Sequence, residues 1–415
     1  MIKDLTLSTD IAIIGAGLVG LAAAVGLQQA GFTVTLIDSK PPIAEVVSLG
    51  AANTVVSASD KQAWDNRVYA ISPNNAAWLQ QLGVWQTINP ERIGKMQAME
   101  ISGDASLPPL ILSAEDANSD NLGFIIEANV LAHALMQQVE ALGINVLLDS
   151  PCTELAVSSN TTPSKASVRL KNGRIVESTL LLAADGSHSW VRQQLNIPVH
   201  QKSYDQTAIV ANFEIEQSHA NIARQWFAQD SEGKNSILAW LPLPGNRISI
   251  VWSVATKYAE TLLQLTAEAF TDEVRLAGIS SLGQLKLISS FASFPLGMQK
   301  SNTISEASIV LIGDAAHQIH PMAGQGMNLG FRDVIDLLEV LKDKTQYQCI
   351  NDSSLLKRYS RLRKVDTLNM VLLTDGLFRL FGSQNSVVKK VRNWGLSATK
   401  YHVIKKLFVA SAMTL

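Results

Sequence analysis

Cysteine is almost missing from this chain. The two in 415 residues, Cys152 and Cys349, are too far apart in sequence to suggest a disulfide framework, and they match no metal or redox spacing. Both are read as inert thiols in a reducing cytoplasm, and no metal is expected. Charge is also scarce: 17% of residues are charged and the formal net charge is -2. Such a chain spreads no basic field for nucleic acid, so none is expected as a partner. Internal repeats and long low-complexity segments are absent. A spanning segment is excluded as well. Ile11–Ile37 carries no charge, but five glycines and Gln28-Gln29 interrupt it, where a membrane helix needs about 20 continuous apolar residues. A signal peptide fits poorly, because Lys3 is offset by Asp4 and cleavage near Ala24 would cut the motif described next.

What is present is a globular composition, 47% hydrophobic, long enough for two or three domains. The most informative stretch runs from Asp10 to Asp38 and reads as strand, tight turn, helix, strand. Gly15, Gly17 and Gly20 form G-x-G-x-x-G after the buried run Ile11–Ile14. Gly15 makes the turn, Gly17 lets a pyrophosphate approach the backbone, and Gly20 lets the helix pack closely on the sheet. The helix N-terminus offers free N–H groups to phosphates. Asp38 ends the second strand, where a carboxylate can accept from an adenosine ribose.

Further along, Arg67 precedes a helix expected from Ser72 or Pro73 to Leu82; it is either a surface arginine or a group that reaches a cofactor. An apolar strand ends in Asp185-Gly186, with Ser189 and Arg192 on the following helix. Asp185 there is either an N-cap or a ligand group. Alternating segments from Ala208 to Ser253 read as a β-sheet block, in which Trp226, Trp240 and Trp252 belong to the core or wall a pocket. Lys257–Ala277 reads as helical. The strand Ile309–Ile312 ends in Gly313-Asp314-Ala315-Ala316-His317, and Gly324-Gln325-Gly326 opens a helix running to about Leu341. Beyond Ser353 the chain is helical and basic, and its tail alternates basic and apolar groups, which suits a membrane surface, a partner, or packing on the body.

Three motifs in this order resemble the class A flavin-dependent aromatic hydroxylases: Gly15-x-Gly17-x-x-Gly20, Asp185-Gly186-x-x-Ser189-x-x-Arg192 and Gly313-Asp314. Arg67-Val-Tyr-Ala-Ile-Ser, Leu82-Gly-Val-Trp85 and His320-Pro321-x-Ala-Gly324-Gln325-Gly326-Met327-Asn328 resemble their ubiquinone-biosynthesis branch. Asp38 stands where that family more often has Glu. The resemblance implies an α/β fold: a Rossmann-like FAD-binding domain (para-hydroxybenzoate hydroxylase-like), an inserted β-sheet substrate domain and a helical C-terminal region. The expected segments are 1–65, 99–190 and 291–345 for FAD, 66–98 and 191–290 for substrate, and 346–415 for the helical end. FAD is implied as the bound cofactor, with NAD(P)H as reductant and no second Rossmann motif for it.

By the same resemblance, Gly15, Gly17, Gly20 and Asp38 hold the ADP half, Arg67 and Glu127 touch the cofactor, and Asp314, next to Gly313, binds the ribityl chain. The turn of Pro321, Gly324, Gln325, Gly326, Met327 and Asn328 lies along the isoalloxazine, and Asp185 and Arg192 contact FAD or NAD(P)H. The implied reaction is hydroxylation of a polyprenylated phenol or quinone precursor by O2 through a flavin C4a-hydroperoxide. No catalytic base is assigned; His317 and His320 are the candidates, with packed or hydrogen-bonded roles favoured. A soluble aromatic substrate, or a flavin-fold scaffold without turnover, are the competing readings. A halogenase is not favoured, because the Trp-x-Trp-x-Ile-Pro signature of that group is missing. A multi-enzyme ubiquinone-synthesis complex, a homo-oligomer and peripheral contact at the inner face of the membrane are all compatible with the chain.

Overall fold

The computed structural model describes residues 6–41, 64–103, 109–158, 164–229, 234–319 and 325–382. His320, Pro321, Gly324, most of the loop after Pro41 and the basic tail lie outside them. In chain order the first unit is β1 (Thr6–Ile14), α1 (Leu18–Gln29) and β2 (Val34–Ile37). Next come β3 (Val68–Ile71), α2 (Pro73–Gln81), β4 (Gly94–Met96), β5 (Ala98–Ser102), β6 (Leu110–Ser113), β7 (Gly123–Glu127) and α3 (Ala128–Ala141). A run of β8 (Asn145–Leu147), β9 (Cys152–Ser158), β10 (Lys165–Leu170), β11 (Ile175–Ala183) and α4 (Trp190–Gln194) follows. Then come β12 (Val199–Ile215), β13 (Ile222–Gln229), β14 (Asn235–Leu243), β15 (Arg247–Ala255), α5 (Thr256–Leu263) and α6 (Ala267–Ala277). The last elements are β16 (Leu285–Leu287), β17 (Ala292–Ser301), β18 (Ser305–Glu306), β19 (Ile309–Leu311), β20 (His317–Gln318), α7 (Gln325–Lys342) and α8 (Ser353–Gly382).

The first sheet has the order β18-β19-β11-β1-β2-β8, with parallel pairing from β19 to β8 and the antiparallel pair β9–β10 attached to β11. Ile11 and Ile13 enter one core, while Ala12 and Ile14 enter another on the opposite face. A strand covered on both sides has no polar face, which is why the run is continuously apolar. The uncharged α1 has the same explanation. Leu18 and Gly20 through Leu27 are all buried, and a Cβ on Gly26 would stand 2.9 Å from the Leu338 side chain of α7.

The second sheet runs β20-β17-β12-β15-β14-β13-β5-β6, with β16 on β12; a small third sheet is β3-β7-β4. Four segments fall elsewhere than expected. Ala98–Ser102 and Leu110–Ser113 join the second sheet, β5 pairing with β13. Conversely Ala76, Leu79 and Leu82, at α2, pack into the core of the first sheet. Strand β17 also pairs with β12 rather than with the FAD-side sheet. Alternation reports a half-buried strand but not the sheet it joins. β12 is longer than the expected start at Ala208, because its polar beginning, His200–Ser203, pairs only with β17, ahead of an irregularity at Ser203/Gln206. The region Lys257–Ala277 is two helices; Thr266 caps the second, its hydroxyl accepting from the Ala269 N–H.

Helix α8 is held to α7 by Arg363, whose side chain is 1% exposed. It donates to Asp333 (2.6 Å) and Asp336 (2.7 Å) and pairs with Asp366 (2.7 Å). Replacing one partner of a buried ion pair leaves the other uncompensated. Arg363→Met is expected to lower unfolding free energy by about 3 kcal/mol or more, read from urea unfolding; an unchanged midpoint would remove this anchor from the account.

Candidate functional site

The parallel order β2-β1-β11-β19 brings the carboxyl ends of these strands, and the loops after them, side by side. Ligands of open parallel sheets bind at that edge. In the first loop, Gly15 has φ +108°, and a Cβ there would meet the Ala184 carbonyl oxygen at 2.3 Å. A Cβ on Gly20 would meet the Gly15 carbonyl oxygen at 1.9 Å. Gly17 differs: nothing lies within 4 Å of its Cβ position, and it caps α1 without any side-chain hydrogen bond. The open space and the uncapped N-terminus fit the dinucleotide phosphates expected there. Asp38 draws this turn in, one oxygen accepting from the Ala16 N–H (2.6 Å) and the other from Lys40 (2.8 Å).

At the end of β11, the Asp185 side chain accepts from the Val191 N–H (3.1 Å), while its other oxygen is buried with no partner. Burial raises its carboxyl above the ordinary value, against hydrogen bonds from Ser189 and the following backbone. An orphaned buried oxygen beside the glycine turn is a natural acceptor for a cofactor hydroxyl. Arg192, expected at FAD or NAD(P)H, has its partners within the protein. It is 5% exposed, and its guanidinium donates to the carbonyls of Ala315 (2.9 Å) and Ser187. It ties the second motif to the third.

The third motif is fixed by Asp333, which lies on the buried face of α7. Asp333 accepts from the Gly313 N–H (2.7 Å) and from Arg363, and pairs with His317 at 2.9 Å. Burial alone would raise this carboxyl, but the charges and hydrogen bonds of His317, Arg363 and Gly313 hold it below the ordinary value. His317 therefore holds the turn, as the hydrogen-bonded reading had it. Sequence reasoning passed over Asp333 and took Arg363 as one of the solvated basic residues beyond Ser353, whereas it is buried; a charge set among Leu329, Val334 and Leu337 on the inward face of α7 was the available signal.

Asp314 points the other way, into a cavity of about 230 Å³ between the first motif's domain and the second sheet. Its side chain is exposed to that cavity, yet surrounding protein raises its carboxyl, opposed by His317 and Arg67. Gly326 and Met327 line the cavity at the start of α7. Asn328 does not. It is 1% exposed, accepts from the Ser72 N–H (2.9 Å) and donates to the Ala70 carbonyl (2.9 Å). Gln325 is also buried, its oxygen 3.4 Å from the Asn328 amide.

Arg67 and Tyr69 of the β3 segment line the cavity, with the Arg67 guanidinium 5.4 Å from the Tyr69 ring. Burial, with a smaller opposing effect of Arg67, pushes the Tyr69 phenol up to about 12, so it stays a neutral donor. Glu127 does not reach the cavity. It is 0% exposed; Arg92 donates to both its oxygens (2.7 Å each), and Asp65 N–H to one (2.6 Å). Asp65 in turn accepts from the Arg67 N–H (2.9 Å). Glu127 thus sets the backbone that carries Arg67.

The remaining walls are apolar, and period-two alternation explains them. Ile237, Ala239, Leu241, Val251 and Ser253 face the cavity. Leu238, Trp240, Ile250 and Trp252 face the core under α5 and α6, with Trp226 packed edge-on to Trp240 at 4.9 Å. The tryptophans are core. Arg224, paired with Glu100 at 3.3 Å, is the other charge on the lining.

The family described as FAD binding domain matches residues 8–371. A ubiquinone hydroxylase of Rhodospirillum rubrum is 31% identical, covering 97% of this chain and 89% of the relative. A 3-demethoxyubiquinol 3-hydroxylase of Escherichia coli is also 31% identical, with 94% and 95% covered. The solved p-nitrophenol 4-monooxygenase of Pseudomonas putida has the same fold, with TM-score 0.74 at 15% identity and 98% of each chain covered.

Gly17 separates cofactor binding from folding. Its φ of -72° and empty surroundings admit a methyl group. Gly17→Ala is expected to keep the apoprotein's unfolding midpoint while weakening FAD by about tenfold or more. Gly15→Ala should instead lower the midpoint of the apoprotein itself. Equal FAD affinity in Gly17→Ala and the parent chain, by flavin fluorescence titration, would contradict the placement of the pyrophosphate.

Proposed function

Since the chain belongs to the FAD-binding domain family, we propose that it is the FAD-dependent hydroxylase of a polyprenylated phenol or quinone precursor in ubiquinone biosynthesis. The observation that carries this reading is the apolar cavity meeting Asp314 and the start of α7. When bound, reduced flavin activates O2 and supplies one oxygen atom to the ring, with NAD(P)H as the source of electrons.

The protein's own residues bind, orient and exclude water. Gly15, Gly17 and the α1 N-terminus receive the pyrophosphate, Asp38 and Asp185 offer acceptors to ribose or ribityl hydroxyls, and Asp314 serves the ribityl side of the cavity. Ile237, Ala239, Leu241 and Val251 give the ring an apolar floor from which water is displaced. Arg67 and the neutral Tyr69 phenol are the donors positioned to meet a phenol oxygen or the flavin edge. Pro321 and Gly324, which the family resemblance assigns to the cofactor, lie outside the described residues.

An apolar tail on the substrate would bring the protein to a membrane surface. No helix among the described residues is long and apolar enough to cross a membrane. The basic tail is the part we assign to peripheral contact or to a partner of a biosynthetic complex.

The test is anaerobic reduction of the FAD-loaded protein by NADH, with and without a prenylated phenol, followed by admission of labelled O2. Faster bleaching with the phenol and one labelled oxygen in the product are expected. Reduction that ignores every prenylated phenol but responds to a soluble one would shift the substrate class; a flavin that no nicotinamide reduces would favour the scaffold reading. Ala239→Trp, which fills the cavity from its floor, should keep FAD and abolish the phenol's stimulation. Stimulation of parental size in that variant would move the substrate elsewhere.

A further inference from the structure

Behind the Gly313–His317 turn, on the side away from Asp314, lies a second cavity of about 280 Å³ between β17, β18 and α8. Its lining is unusual for a chain of net charge -2. Lys300, Lys357, Lys364 and Arg363 supply cations, and no Asp or Glu is among the lining residues described. Most of the rest is hydroxyl or amide: Ser301, Asn302, Thr303, Ser305, Ser360 and Thr367.

The α8 wall makes the point most clearly. Lys357, Ser360, Lys364 and Thr367 follow one another at helical spacing along the border of the buried face of α8: Thr367 is buried, Ser360 half-buried, and the two lysines are exposed at the solvent edge of the cavity. The facing wall is the Lys300-Ser301-Asn302-Thr303 run at the end of β17. The floor is buried: Ser301 is 2%, Thr367 3%, His317 4% and Arg363 1% exposed. Arg363 and His317 are already engaged by Asp333, Asp336 and Asp366, none of which lines the cavity. The three lysines have no ion-pair partner among the described residues. Lysine charges converging on a concave, hydroxyl-lined space raise the local concentration of anions and offer donors to oxygens.

We infer that this cavity is a binding site for a phosphate-type oxyanion, separate from the flavin site. Diphosphate and phosphomonoester groups fit its chemistry, since they accept many hydrogen bonds and carry the opposite charge. The group can come from a soluble phosphoester or from a lipid headgroup.

Inorganic diphosphate titrated into the FAD-loaded full chain, by calorimetry and thermal unfolding, tests the site. Saturable binding with a raised midpoint is expected, and sodium chloride of equal ionic strength should not reproduce it. Lys300→Met/Lys364→Met should weaken binding by about tenfold per lysine removed, with the ligand-free midpoint and flavin spectrum unchanged. The corresponding double arginine variant should retain it. Sedimentation with phosphatidate vesicles, displaced by diphosphate, would assign the anion to a headgroup; diphosphate binding without vesicle binding would assign it to a soluble phosphoester. No saturable binding, or equal affinity in the methionine variant, overturns the inference.

Discussion

The turn after β1 leaves no room for a side chain. The Cβ positions of Gly15 and Gly20 fall inside the Ala184 and Gly15 carbonyls, so the glycine turn, α1 and the end of β11 are pressed together. Everything at the site follows from that contact. Because β11 is also the neighbour of β19, loops separated by well over a hundred residues reach one edge of one sheet. Of the three glycines of the first motif, Gly17 alone has open space at its Cβ position, as a turn that admits a ligand requires.

Around this edge most charged and amide groups serve the protein before they serve a ligand. Glu127 is closed by Arg92 and Asp65, Arg192 by two carbonyls, Asn328 by Ser72 and Ala70, and Asp333 by Gly313, His317 and Arg363. A buried charge or amide is tolerated only when its hydrogen-bonding capacity is met. Each of these residues therefore sets backbone: Glu127 behind Arg67, Arg192 and Asp333 behind Asp314. The groups left to face the cavity are few, chiefly Arg67, Tyr69, Asp314 and Arg224.

The division of labour between the faces of the second sheet has the same economy. Along β14, Ala239 and Leu241 meet the cavity while Leu238 and Trp240 meet α5 and α6. The tryptophans, the bulkiest of these side chains, all lie on the core face, and the cavity face carries aliphatic residues and Ser253. A chemistry carried by a cofactor needs such a shaped, water-poor space more than it needs a protein nucleophile.

The sequence by itself determined the first βαβ unit, the Gly-Asp turns and the alternation of the sheet block. These rest on local rules: glycine where backbones touch, continuous apolar runs in strands covered twice, and period two in strands covered once. It also made FAD legible, through three motifs in order. Tertiary structure alone decided which sheet received Ala98–Ser102 and Ala292–Ser301, because an alternating strand carries no address. It alone showed that Glu127 and Arg192, expected at the cofactor, are engaged by Arg92 and by the Ala315 carbonyl, since a side chain's partner across the fold lies outside local pattern. The basic residues of α8 show the limit most plainly. In the sequence they belong to a basic helix with a solvated face, but only packing against β17 made Lys357 and Lys364 part of the wall of a cavity.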